Sequence, residues 1–98
     1  MTTTNTLRTE MENNNLEIAR LTEKFNLMED VVKATSKKVD DMEAAPMEAY
    51  TQAECDAIYA EHNKASAEWD AIERKIKTLE KVNDYLKRAL WELEEIEN

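Results

Sequence analysis

Two heptad ladders, one on each side of the chain's single proline, constrain the fold more than any other feature of the sequence. The first takes in Leu7, Met11, Asn14, Ile18, Leu21, Phe25, Met28, Val32, Thr35, Val39 and Met42. The second takes in Cys55, Ile58, His62, Ala65, Trp69, Ile72, Ile76, Leu79, Asn83, Leu86, Leu90 and Leu93. Both step alternately by three and four residues, which holds one stripe of a helix against a partner helix. The chain has no glycine and 36% charged residues, a composition of long helices and not of a compact globule.

The first helix is expected from about Asn5 to Ala44, with the Asn13-Asn14-Asn15 run as its weak point, because asparagine side chains compete for backbone groups. A turn is expected over 45–51, since Pro46 removes a backbone donor and pushes Ala45 towards extended geometry. Thr51 and Glu54 have the spacing of a capping box, so a second helix should start at 52 and run to about 97. Val39 and Cys55 both occupy a positions but lie sixteen residues apart, two heptads plus two, so one continuous seam cannot pass through both. The chain has to reverse.

Folding the ladders onto each other in inverted order gives a residue-by-residue match. Met42 meets Cys55, Val39 meets Ile58, Thr35 meets His62, Val32 meets Ala65, and Met28 meets Trp69. Phe25 with Ile72, Leu21 with Ile76, Ile18 with Leu79, Asn14 with Asn83, Met11 with Leu86 and Leu7 with Leu90 follow. Every layer sets an a against a d, and the polar residues find each other. A slip of one heptad would bury each asparagine against an apolar side chain, at roughly 1–3 kcal/mol per unpaired amide. The expected fold is therefore all-α: one domain over 1–98, an antiparallel two-helix coiled-coil hairpin roughly 60 Å long. So narrow a core invites a second copy. Val82, Tyr85, Ala89 and Ile96 on the second helix, and Leu27, Val31 and Ala34 on the first, occupy g and c positions beside the seam. They define an expected homodimer interface that would complete a four-helix bundle.

The chemistry-bearing residues point away from catalysis. Cys55 and His62 are two helical turns apart, both in the seam, whereas metal ligands on one helix stand three or four residues apart; the residue three before His62 is Tyr59, not the Glu of a di-iron motif. No Ser or Cys lies within one turn of His62 on the same face, and without glycine there is no phosphate-cradling loop or nucleophile elbow. No catalytic residue, metal or cofactor is expected. Arg74, Lys77, Lys81 and Arg88 form a basic stripe. Asp70, Glu73 and Asp84 stand four residues ahead of Arg74, Lys77 and Arg88, the spacing of a solvated, salt-laced face.

The net charge of −9 is concentrated in the middle third. Residues 40–70 hold nine acids against Lys64 alone, while the flanking thirds are nearly balanced. That disfavours direct binding to nucleic acid or an anionic membrane and favours a protein partner with a basic surface. The acids fall at the expected turn beside Met47 and Tyr50, so Asp40, Asp41, Met47, Tyr50, Glu54 and Asp56 are the candidate partner-binding residues there. Trp91, at an outward b position among the acids of the C-terminal helix, is the remaining candidate. No stretch is apolar enough to span a membrane, Met1–Thr6 lacks the features of a secretory signal, and Cys55 has no intrachain partner. A cytoplasmic setting is expected on these grounds.

The expected architecture resembles that of helical-hairpin chaperones and assembly factors, which implies an adaptor-like role. The charge distribution supports an alternative, an acidic inhibitor encoded by a virus or mobile element that occupies a basic nucleic-acid-binding groove of a target enzyme.

Overall fold

The protein is all-α in a computed structural model that describes residues 3–97, and side chains over 3–96. Helix α1 spans Thr3–Ala44, a short 3₁₀ turn spans Met47–Ala49, and helix α2 spans Gln52–Glu97. The two long helices pack against each other. Every residue of both ladders is buried or half-buried, so the three-four spacing marks the packed face of each helix along its whole length. The chain divides into two compact units: Lys24–Ile72, and the flanking segments up to Glu23 and from Glu73.

The Lys24–Ile72 unit contains the reversal. The last turn of α1 tightens, with the Ala45 N–H donating to the Met42 carbonyl at 3.2 Å. Pro46 follows in extended geometry (φ −58°, ψ 150°), as a residue with no N–H and a fixed φ can do without loss. The Ala49 N–H donates to the Pro46 carbonyl at 3.0 Å, and Tyr50 returns to extended backbone. The expected capping box then opens α2. The Glu54 N–H donates to Thr51 Oγ1 at 3.1 Å, and the Thr51 N–H donates to Glu54 Oε1 at 3.2 Å. Two otherwise orphaned backbone donors are satisfied reciprocally, and a cap of this kind contributes about 1 kcal/mol.

The core of this unit is Thr35, Met42 and Ala65, with the half-buried rings of Phe25 and Trp69 stacked at a centroid distance of 5.1 Å. The stack joins residues assigned to adjacent layers, so the large rings pack diagonally. Thr35 and His62 meet as expected, Oγ1 to Nδ1 at 2.8 Å, and Thr35 also bonds the Val32 carbonyl at 3.0 Å. A hydroxyl has one proton. That proton serves either the Val32 carbonyl or His62 Nδ1, and the imidazole nitrogen donates to Thr35 in the first case and accepts from it in the second.

In the other unit the second polar layer forms. Asn14 Nδ2 donates to Asn83 Oδ1 at 2.9 Å, and Asn83 Nδ2 donates to Asn15 Oδ1 at 2.8 Å and towards the Met11 carbonyl at 3.5 Å. The asparagine run is thus continuous helix, stabilised by a cross-helix partner. Leu21 is the most buried apolar residue here, and Thr4 is buried at 5% exposure. Thr4 occupies the a position one step before Leu7. The ladder therefore begins one layer earlier than its apolar members indicate, and α1 starts at Thr3 and not at Asn5.

Of the three expected four-apart pairs on α2, Glu73 with Lys77 forms an ion pair, at 3.0 Å; no ion pair joins Asp70 to Arg74 or Asp84 to Arg88 among the described residues. Exposed pairs of this kind contribute little.

Candidate partner-binding surfaces

Met47 and Tyr50, both expected at the turn, come together in a cleft of about 360 Å³. Met42, Glu43, Ala45, Pro46, Gln52, Cys55 and Tyr59 complete its lining. The local backbone explains the arrangement. The 3₁₀ turn holds Met47 outward at 94% exposure, and the extended Tyr50 lies half-buried at the entry to α2. The Tyr59 hydroxyl donates to Glu43 Oε1 at 2.8 Å, which ties α1 to α2 beside the seam. That bond favours the protonated phenol and holds the Tyr59 pKa above the ordinary tyrosine range, with desolvation and the Glu43 charge adding to it.

The acids do not all share one role. Asp40, Asp41 and Glu48 are exposed and have no ion-pair partner among the described residues. Glu54 is engaged in the capping box, and Asp56 accepts a hydrogen bond from Gln52 Nε2 at 2.9 Å. None of Asp40, Asp41, Glu54 and Asp56 lines the cleft; its carboxylate is that of Glu43. Glu43 and Tyr59 are the residues that sequence reasoning passed over. A signal was present, because both are e positions, which inverted helix pairing brings together at the edge of the seam. Lys38, from α1, offsets part of the acidity through an ion pair with Glu61 at 3.2 Å.

Trp91 is 62% exposed and lines a separate open groove of about 400 Å³ with Lys87, Arg88, Leu90 and Glu94. Glu94 is paired with Arg8 across the helices. The groove is lined mainly by apolar surface, and its charges are mixed in sign.

The expected oligomer residues are apolar and unburied. Leu27 and Val31 stand on α1 at 65% and 45% exposure, and Val82, Tyr85 and Ile96 on α2 at 40%, 59% and 81%; Ala89 is half-buried. Leu16, at 72%, is a further exposed leucine, outside both ladders.

Cys55 is a half-buried free thiol lining the cleft, and His62 is bonded to Thr35. Among the described residues there is no group of three or more His, Cys, Asp or Glu side chains placed to hold a metal ion, and no helix long and apolar enough to cross a membrane. No protein-family model, curated protein or solved structure matches the chain.

Proposed function

We propose that this chain is a non-enzymatic protein-interaction module, an adaptor, assembly factor or chaperone-like hairpin that acts in the cytoplasm. In this reading an antiparallel coiled coil is the scaffold, and a second copy completes a four-helix bundle. One observation carries it: the seam covers every ladder residue, yet Leu27, Val31, Val82, Tyr85 and Ile96 stay at least 40% exposed. Apolar side chains of this size, recurring at g and c positions of the same helices, are surface that a partner would remove from water.

Light scattering at micromolar concentration tests the self-association. The expected mass is twice the 11.4 kDa of one chain, and Val82→Glu with Tyr85→Glu should return it to the single value. A wild-type mass of one chain would rule the homodimer out.

The acidity of residues 40–70, nine acids against one lysine, favours a second reading, in which the chain blocks a basic nucleic-acid-binding groove of an enzyme. Such a complex would weaken steeply with salt, compete with nucleic acid, and be lost when Asp40, Asp41 and Glu48 are changed to lysine. These three are the informative positions because Glu54 serves the helix cap and Asp56 is bonded to Gln52. A complex indifferent to salt and to the reversal would exclude this reading and leave the apolar surfaces as the contact.

A further inference from the structure

We infer that the cleft at the turn receives an arginine side chain presented by a basic partner protein, with Glu43 as its anion and the Tyr50 and Tyr59 rings as its aromatic walls. The inference rests on the reading of the turn as a partner-binding surface and names what that surface selects.

The lining carries the argument. Two phenol rings, two thioethers (Met42 and Met47) and one carboxylate surround the space, and no lysine or arginine contributes to it. Aromatic faces attract a cation through their quadrupole, and methionine sulfur adapts to a flat, polarisable group. Glu43 is held in place at one oxygen, because Oε1 accepts the Tyr59 hydroxyl at 2.8 Å. Its Oε2 accepts no hydrogen bond from any described residue. A fixed carboxylate with a vacant oxygen beside aromatic rings matches a guanidinium better than an ammonium. Guanidinium is planar, stacks on rings, and sheds its weaker hydration more readily on entering a half-apolar site. Charge complementarity points the same way: Asp40, Asp41 and Glu48 stand exposed and unpaired near the turn, adding negative field that draws in a basic chain. Those acids alone would serve lysine equally well. The cleft is what discriminates.

The test uses the full chain with ¹³C-labelled methionine methyl groups, titrated with a synthetic arginine–leucine repeat peptide, its lysine–leucine counterpart and a glutamate–leucine control. The arginine peptide should shift the Met42 and Met47 signals saturably and leave Met11 and Met28 unmoved. The lysine peptide should bind several-fold more weakly, and the glutamate peptide not at all. Glu43→Gln and Tyr59→Ala, both at exposed positions, should each weaken arginine binding by about tenfold, the scale of one charge-assisted bond or one cation–π contact. Unchanged thermal melts would show these variants to be folded. If both variants bind as wild type while Asp40→Asn with Asp41→Asn and Glu48→Gln abolishes binding, the turn is a diffuse acidic field and the cleft is not the site. Equal affinity for lysine and arginine would overturn the guanidinium assignment. No shift of Met42 or Met47 at millimolar peptide would overturn both the cleft and the turn as a partner surface.

Discussion

Replacing Trp69 with alanine should lower the unfolding free energy by about 3 kcal/mol, whereas Trp69→Phe should cost less than about 1.5 kcal/mol. The contrast follows from what the indole does. Its ring stacks on Phe25 at 5.1 Å and 25°, in a seam where no large side chain is fully buried among the described residues. Alanine would remove that stack from a core with few other contacts to fall back on. Phenylalanine keeps a ring against Phe25, and it also eliminates a liability, because the Trp69 Nε1–H is buried with no hydrogen-bond partner. Deleting an unsatisfied donor recovers part of its desolvation cost and offsets the lost volume. Urea unfolding followed by circular dichroism measures both variants. Equal losses for alanine and phenylalanine would show that a ring stacked on Phe25 contributes nothing and that the volume of the indole is what the packing depends on.

The second large effect lies in the asparagine layer and is asymmetric. Asn83→Leu strips acceptor or donor partners from both Asn14 and Asn15, and should destabilise by roughly 1–3 kcal/mol. Asn14→Leu should cost less, because Asn83 Nδ2 still reaches Asn15 Oδ1 at 2.8 Å. The double substitution should recover most of the loss, since two leucines facing each other leave no amide from this pair buried. A coupling energy of at least about 1 kcal/mol in the double-mutant cycle is the expected result. Additive losses would show that the two amides act independently. The recovered double variant should lose this layer's polar constraint on register, so disulfide trapping between cysteines placed at Met11 and Leu86, which face each other in the native register, should become less efficient.

The seam was legible in the sequence because period and partner choice are both written in residue type. The polar members are the clearest case: Asn14 and Thr35 appear as flaws in an apolar ladder until Asn83 and His62 stand opposite them, and both pairs bond as their positions imply. Thr4 escaped notice because it is a polar residue at the very end of a ladder otherwise marked by apolar side chains. The capping box was readable from Thr51 and Glu54 alone, being a local geometry with a fixed spacing. The cleft was only half legible. Met47 and Tyr50 stood out as apolar residues beyond the ladders, but Glu43 and Tyr59 sit at flanking positions where any side chain is tolerated. Their e positions put them side by side, but whether they bond depends on rotamers and on the path of the turn, which no period records. The acids were visible as charge, yet composition does not tell an acid that caps a helix, as Glu54 does, from one left to solvent, as Asp40 is.

The reversal from α1 to α2 uses no residue with positive φ among those described. Most tight reversals hang on a glycine or asparagine whose loss breaks them, which ties the loop's sequence to its shape. Here right-handed and extended backbone is sufficient, and the anchoring is done at the flanks by Met42 in the core and by the Thr51 cap. The segment between them is free to vary: residues 47–49 can be exchanged for other side chains without asking the helices for anything. The side chains of the turn can thus drift, or be redesigned, independently of the part that folds.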